Sequence, residues 1–351
     1  MGIYNSKLWI CDLDETLETL PELKELEGQR VMITGCTGLI GSAVVDLLVR
    51  WNETHDCKIQ IYAAGRDTKK VSRRFAPYSA AEWFSFAPYD AASAETVFDF
   101  SCDYIIHGAS NASPDKIVKE PVETMLSNVV GMKNLLDFAR KTGTKRVLYI
   151  SSSEVYGKKA GVKPYKSDEY GYIDILNSRN SYSIGKRAAE TLCVSYADEY
   201  EVESVIVRPG HIYGPTAVES DRRVASAWTY LAARGEDIVM KSDGSQIRSY
   251  CYCLDCASAI LVVLLKGENT HAYNVSNPDS IINIKEMADI LTKSAGVELK
   301  LELPSEEERK GFNPMSNSSL DSEELLALGW NGLFSAKRGF SHTVKILKAL
   351  I

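Results

Sequence analysis

Arg30 to Thr34 reads as a buried strand that runs straight into Thr34-Gly35-Cys36-Thr37-Gly38-Leu39-Ile40-Gly41 and then an apolar helix through Arg50. No other stretch restricts the fold so strongly. Three glycines spaced three apart between a strand and a helix make the tight turn of a βαβ unit. Gly35 permits the turn, Gly38 lets the backbone come close to a phosphate, and Gly41 lets the helix pack on the strand. The backbone of Thr37, Leu39 and Ile40 then faces a pyrophosphate at the helix N-terminus, where unpaired N–H groups and the helix dipole favour an anion.

The pattern that follows repeats this unit. Residues 58–63 form a second strand ending in Ala64-Gly65-Arg66-Asp67, and residues 85–89 a third, closed by Asp90 and Ala91. Residues 104–107 form a fourth strand, leading to Gly108-Ala109-Ser110-Asn111-Ala112-Ser113-Pro114. A helix containing Asn128 precedes a fifth strand at residues 146–150, and residues 205–208 form a sixth. Alternating strands and helices predict an α/β chain with a Rossmann-type, doubly wound parallel sheet. Small residues at Gly108, Ala109 and Ser110 let a cofactor lie against the backbone, and Asp90 is placed to meet an adenine amino group. An acid closing the second strand would hold the adenosine ribose and favour NAD. Gly65 stands there with Arg66 beside it, which leans toward the 2′-phosphate of NADP.

The candidate chemistry lies between Ser151 and Lys186. The stretch opens with Ser151-Ser152-Ser153-Glu154-Val155-Tyr156-Gly157 and closes with Tyr182-Ser183-Ile184-Gly185-Lys186. A tyrosine and a lysine four apart share one helix face. The lysine's charge is expected to lower the phenol pKa, so that Tyr182 can exchange a proton near neutral pH.

Taken together, these motifs resemble the extended short-chain dehydrogenase/reductases of the NAD-dependent epimerase/dehydratase family. The match runs over roughly residues 29–300 and includes Arg208-Pro209-Gly210-His211-Ile212-Tyr213-Gly214-Pro215 and Arg248. The resemblance implies a bound nicotinamide cofactor, NAD by family, that oxidises a nucleotide sugar at C4. It assigns Tyr182 as the base for the 4-hydroxyl, Lys186 to the nicotinamide ribose, and Ser152 to the 4-oxygen. Asn128 is placed near the cofactor, where it orients the catalytic backbone.

Ser153 and Glu154 sort the subfamilies. The 4,6-dehydratases carry an aspartic acid where Ser153 stands, and a serine is a poor acid for expelling water. The loop is most similar to that of the UDP-glucuronate decarboxylases, in which a 4-ketone β to the C6 carboxylate makes loss of CO2 easy. Arg248 is expected as the carboxylate-site or proton-relay cation, with Ser113, His211 and Arg223 completing the substrate site. Arg223 would suit a diphosphate, because a guanidinium fork matches its oxygens. Two departures hold other outcomes open. His211 replaces the family's usual asparagine, and residues 165–179 match no assigned pattern. A 4-epimerase is the main alternative and a 4,6-dehydratase a lesser one. A silent nucleotide-binding module and a net reductase are further alternatives that the Tyr182–Lys186 pair and the decarboxylase-like loop disfavour.

Elsewhere the sequence mainly excludes. A net charge of −7 without a basic block argues against nucleic acid. The cluster Lys69, Lys70, Arg73 and Arg74 reads as a solvated helix face. No apolar run is long enough to span a membrane and no signal peptide is evident, so a cytoplasmic enzyme with no membrane partner is expected. The eight cysteines then read as reduced thiols. Cys251, Cys253 and Cys256 are expected in packing and not around a metal. Asp12-Leu13-Asp14-Glu15-Thr16 imitates a phosphatase loop but lacks a surrounding domain. Residues 1–28 are expected as an extension with a short helix that could pack on a neighbouring molecule. Residues 29–207, with 249–270 returning, form the expected dinucleotide domain, and 208–248 with 271–351 the smaller substrate-binding domain. Residues 304–319 are expected as a mobile connection, and a homodimer through the Tyr182 helix and its predecessor is implied by the resemblance.

Overall fold

The computed structural model describes residues 2–159, 161, 163–302 and 316–351. Strand β1 (Arg30–Thr34) enters the glycine turn, and helix α2 (Leu39–Thr54) leaves it. Three more strand–helix steps and one strand without a helix follow. They comprise β2 (Gln60–Gly65) with α3 (Thr68–Arg74), β3 (Phe84–Pro88), β4 (Tyr104–His107) with α4 (Pro114–Lys119) and α5 (Pro121–Thr142), and β5 (Arg146–Ile150) with α6 (Ser181–Tyr200). Strand β6 (Ser204–Pro209) and β10 (Ala272–Val275) complete a seven-stranded sheet of order β10-β6-β5-β4-β1-β2-β3, every neighbouring pair parallel. Four strand assignments made from the sequence miss an end by one or two residues, because β-branched and aromatic runs do not mark their own ends.

The chain builds β1 to β3 outward, then returns to lay β4 on the other side of β1. That reversal opens the crevice in which ligands of such sheets bind. Gly35 follows β1 and Gly108 follows β4, so both sit at this crevice. A Cβ on Gly35 would lie 2.8 Å from the Gly108 carbonyl carbon, and Gly35 has φ +69°. A Cβ on Gly41 would lie 2.4 Å from the Gly35 carbonyl oxygen. Both glycines are therefore demanded by backbone against backbone.

A smaller unit covers the strand ends. Strands β7 (His211–Tyr213), β9 (Ile247–Tyr252), β11 (Ile281–Asn283) and β13 (Asn317–Ser318) form one sheet, and β8 (Ile238–Met240) pairs with β12 (Leu299–Leu301). Helices α7 (Val224–Arg234) and α9 (Ile284–Ala295) and the C-terminal helix Ala336–Leu350 back them. Because β10 pairs with β6, the chain returns to the main sheet beyond residue 270, where the sequence alone put the boundary. Helix α8 (Cys253–Lys266) has Cys253 through Leu264 buried, with Cys251, Cys253 and Cys256 free thiols in the core. Among the described residues no group of acids, histidines and cysteines could hold a metal ion, and no helix is long and apolar enough to cross a membrane.

The amino-terminal helix α1 (Lys7–Glu18), the short helix expected of the extension, packs on its own chain. Trp9 and Leu13 are buried against α2 and α8. Asp12 is buried, accepting from Tyr252 Oη at 3.0 Å and facing His342 Nδ1 at 2.9 Å. Glu15 pairs with Arg338, and Asp14 with Arg50 at 2.6 Å. The phosphatase-like residues are thus a helix face that clamps the C-terminal helix. Residues 303–315, most of the expected mobile connection, lie outside the described residues.

Candidate active site

The site is assembled at the ends of β5, β6 and β9. Past Ile150 the chain turns through a 3-10 turn, Ser153–Tyr156, whose N-cap is Ser152; its hydroxyl accepts from Glu154 N at 3.2 Å. Helix α6 runs beneath, close-packed on α5 because Gly185 lies against Asn128 and Met125. Asn128 is buried and engaged, accepting from Tyr149 Oη at 3.1 Å and donating to the Thr124 carbonyl at 2.8 Å. Its hydrogen bonds tie α5 to β5, and its side chain meets α6 only by packing against Gly185.

Lys186 is buried and its Nζ donates to the Ile150 carbonyl at 2.7 Å, 5.6 Å from the Tyr182 ring centre. Burial lowers its pKa to about 7, with Glu190 pulling the other way. Tyr182 is also buried, and burial pushes its phenol up to about 12. Glu154 pushes it further up, while a hydrogen bond from Ser152 and the charges of Arg223 and Arg179 pull it down. This corrects the simple expectation that the lysine sets the phenol pKa. Without ligand, desolvation outweighs every nearby charge, and the cations opposing it are arginines.

Glu154 is half exposed. Its Oε2 accepts from Ser183 Oγ at 3.1 Å and lies 3.7 Å from Arg179 Nη1. Ser152, Glu154, Tyr182 and Lys186 are therefore brought together as expected, with Ser153 on the same turn. His211, on β7, has a buried Nδ1 with no partner among the described residues. Burial first, then Arg248 and Arg223, lower its pKa to about 4, so it is neutral at pH 7. Arg248, on β9, is buried and donates to the Ile247 carbonyl at 2.8 Å. Arg223 precedes α7 and is gripped by Asp221 at 3.0 Å through Nε, an ion pair not expected from residue spacing. Ser113 stands immediately before α4 without capping it.

One wall is fixed by Arg208, buried on β6. It pairs with Glu190 at 2.7 Å and donates to Tyr156 Oη at 3.0 Å, the Ser167 carbonyl at 2.6 Å and Tyr170 Oη at 2.7 Å. The segment that matched no pattern is thus tied to α6 and to the catalytic turn. Arg179 and Ser183 were missed from the sequence. The signal available was their position around the first turn of α6, three before and one after Tyr182.

The crevice fits a dinucleotide. Gly38 heads α2 with no side-chain cap, leaving the helix N-terminus to an anion. Ser110 Oγ and Ser151 Oγ, at the ends of β4 and β5, are buried without partners among the described residues. Ala91 packs under Gly131, while Asp90 is exposed and accepts from Ala92 N at 3.0 Å. Arg66 is exposed beside the end of β2, and Asp67 caps α3 by accepting from Lys70 N at 3.0 Å. Asp67 is thereby occupied by its own helix.

Comparison with known proteins agrees with this geometry. Residues 31–276 match the model of the NAD dependent epimerase/dehydratase family. The chain is 30% identical over 315 residues to UDP-glucuronic acid decarboxylase 6 of Arabidopsis thaliana, covering 88% of this chain and 86% of that one. Its fold is like that of UDP-glucose 4-epimerase from Thermotoga maritima, with TM-score 0.75, 22% identity, and 92% and 99% of the two chains covered. It is also like a dTDP-glucose 4,6-dehydratase from Streptomyces venezuelae solved with NAD, with TM-score 0.74, 22% identity, and 90% and 96% covered.

Proposed function

The chain belongs to the NAD-dependent epimerase/dehydratase family, and we propose that within it this protein decarboxylates a UDP-glucuronate-type nucleotide sugar. The observation that carries the proposal is the turn bearing Ser153 and Glu154 against Tyr182: it supplies a carboxylate and omits the acid that loss of water would need. The likeness to a plant protein named UDP-glucuronic acid decarboxylase supports the same choice.

Bound NAD would accept the C4 hydride and later return it. Tyr182, as the phenolate that the positive charge of a bound cofactor would favour against desolvation, takes the 4-hydroxyl proton, and Ser152 hydrogen-bonds the same oxygen. With a ketone at C4, the C5–C6 bond breaks, CO2 leaves, and the electron pair passes into an enolate whose oxygen faces Tyr182 and Ser152. Donors aimed at that developing charge lower the barrier. A proton from the site then closes C5, and Tyr182 restores the proton on O4. Lys186 holds the ribose next to the reacting carbon, His211 and Arg223 contact the diphosphate, and Arg248 is the cation at the sugar. Arg66 exposed beside the adenosine position would accommodate NADP, although the family is NAD-dependent. We take NAD as the cofactor.

A second reading, 4-epimerisation, uses the same Tyr182 step and needs only that the keto sugar turn over. His211 in place of the family's usual asparagine is the departure that keeps this reading open. Incubation with UDP-glucuronate, followed by NMR, separates the two: a pentose product with release of CO2 is expected. Inversion at C4 with all carbons retained would overturn decarboxylation. Tyr182→Phe should lower turnover by between about 10² and 10⁴, the usual worth of a general base.

A further inference from the structure

The segment before α6 ends in a device that presents one cation. The short turn Ser178–Asn180 is capped by Asn177, whose side chain accepts from Arg179 N at 3.0 Å. Asn180 Nδ2 donates to the Asp174 carbonyl at 2.8 Å, fixing the turn from the other side. The Arg179 backbone is thereby held at the threshold of the catalytic helix.

Its side chain is held far less tightly. The side chain is 42% exposed, and its pair with Glu154 is 3.7 Å long. A charge-assisted N–H···O bond is normally about 2.7–2.9 Å. The arginines expected at the substrate are more firmly engaged: Arg223 is gripped by both oxygens of Asp221, and Arg248 is buried with a backbone partner. Glu154 has a second, shorter contact with Ser183 Oγ at 3.1 Å and does not depend on Arg179 for its place. The pair thus joins an exchangeable cation to a carboxylate that has another anchor, next to the proton-exchanging tyrosine.

We propose that Arg179 selects a carboxylate on the substrate: the C6 carboxylate of a uronate nucleotide sugar takes the guanidinium from Glu154, which stays on Ser183. One ion pair breaks and one forms, and no proton moves. The inference rests on the decarboxylase reading and deepens it. Arg179 meets the substrate while its carboxylate is still charged, and that charge leaves with CO2. Its contribution therefore falls on substrate binding and not on the bond-breaking step.

The test measures binding of UDP-glucuronate and UDP-glucose by calorimetry in a Tyr182→Phe background, where turnover does not interfere. Adding Arg179→Gln is expected to weaken UDP-glucuronate about tenfold, the loss of one charge-assisted contact, and UDP-glucose by less than about twofold. With Tyr182 intact, Arg179→Gln should raise KM for UDP-glucuronate about tenfold and lower kcat by a smaller factor, because the Arg179 charge also opposes the rise in the Tyr182 pKa, and Arg179→Lys should restore part of the preference. A role confined to positioning Glu154 would instead lower kcat more than it raises KM and weaken both ligands alike, which would overturn the proposal. A preference for UDP-glucuronate that survives Arg179→Gln in an enzyme that releases CO2 defeats the Arg179 assignment alone. An unmodified enzyme that releases no CO2 defeats the decarboxylase reading beneath it.

Discussion

Lys186 shows most clearly how a residue's role depends on its surroundings. Its spacing from Tyr182 placed the two on one face, yet burial gives the amine a pKa near 7, well below its ordinary 10.5. Between those values the unfolded chain holds a proton that the folded chain has released, so stability rises with pH through that window. Below pH 7 both states are protonated and the cost of burying the charge is fully felt. Tyr182 acts in the opposite sense only above its ordinary value of 10, as its folded pKa is about 12. Lys186→Met should therefore flatten the rise in stability of the cofactor-free protein between about pH 7 and 9.5. Denaturant midpoints across that range for both proteins measure it, and an unchanged slope would show that Lys186 is not the group responsible.

Among elements, the glycine turn and helix α1 make contrasting cases. The turn was legible because backbone contact leaves no choice of residue. Gly41→Ala puts a methyl 2.4 Å from a carbonyl oxygen and should abolish dinucleotide retention, often with the fold. At Gly38 the nearest protein atom to an added Cβ is 3.2 Å away, so Gly38→Ala should fold and yet retain less dinucleotide. The absorbance ratio of purified protein at 260 and 280 nm reads both. The helix of α1 was legible but its docking was not, since Asp12 meets Tyr252 and His342, partners more than two hundred residues distant. Asp12→Ala leaves the buried Tyr252 hydroxyl and the part-buried His342 without their acceptor, and the expected cost is about 1–3 kcal/mol in urea denaturation. Glu15→Ala removes only a half-exposed pair and should cost less than about 1 kcal/mol.

For the whole molecule, the outstanding question is assembly. Val118, Val122, Met125 and Leu126 on α4 and α5, with Val194 on α6, are exposed apolar side chains on the helix pair expected to meet a second copy. Such residues are costly to leave in water over a contiguous patch. A homodimer is the expected state. Val122→Asp with Met125→Asp should convert it to monomer by light scattering, leaving the main sheet intact by circular dichroism. A wild-type monomer at micromolar concentration would contradict the assignment.

The sequence by itself determined the parallel sheet, the glycine turn and the placing of Tyr182 and Lys186 on one face of one helix. Each of these follows from contacts close along the chain: a strand, a tight turn, one helical repeat. Tertiary structure alone decided the remainder. It placed β10 beside β6, closed α1 onto the C-terminal helix, buried Tyr182 and Lys186 until desolvation outweighed charge, and set Arg179 against Glu154. Those outcomes depend on which distant surfaces meet and how much water they expel, and residue spacing carries no measure of either.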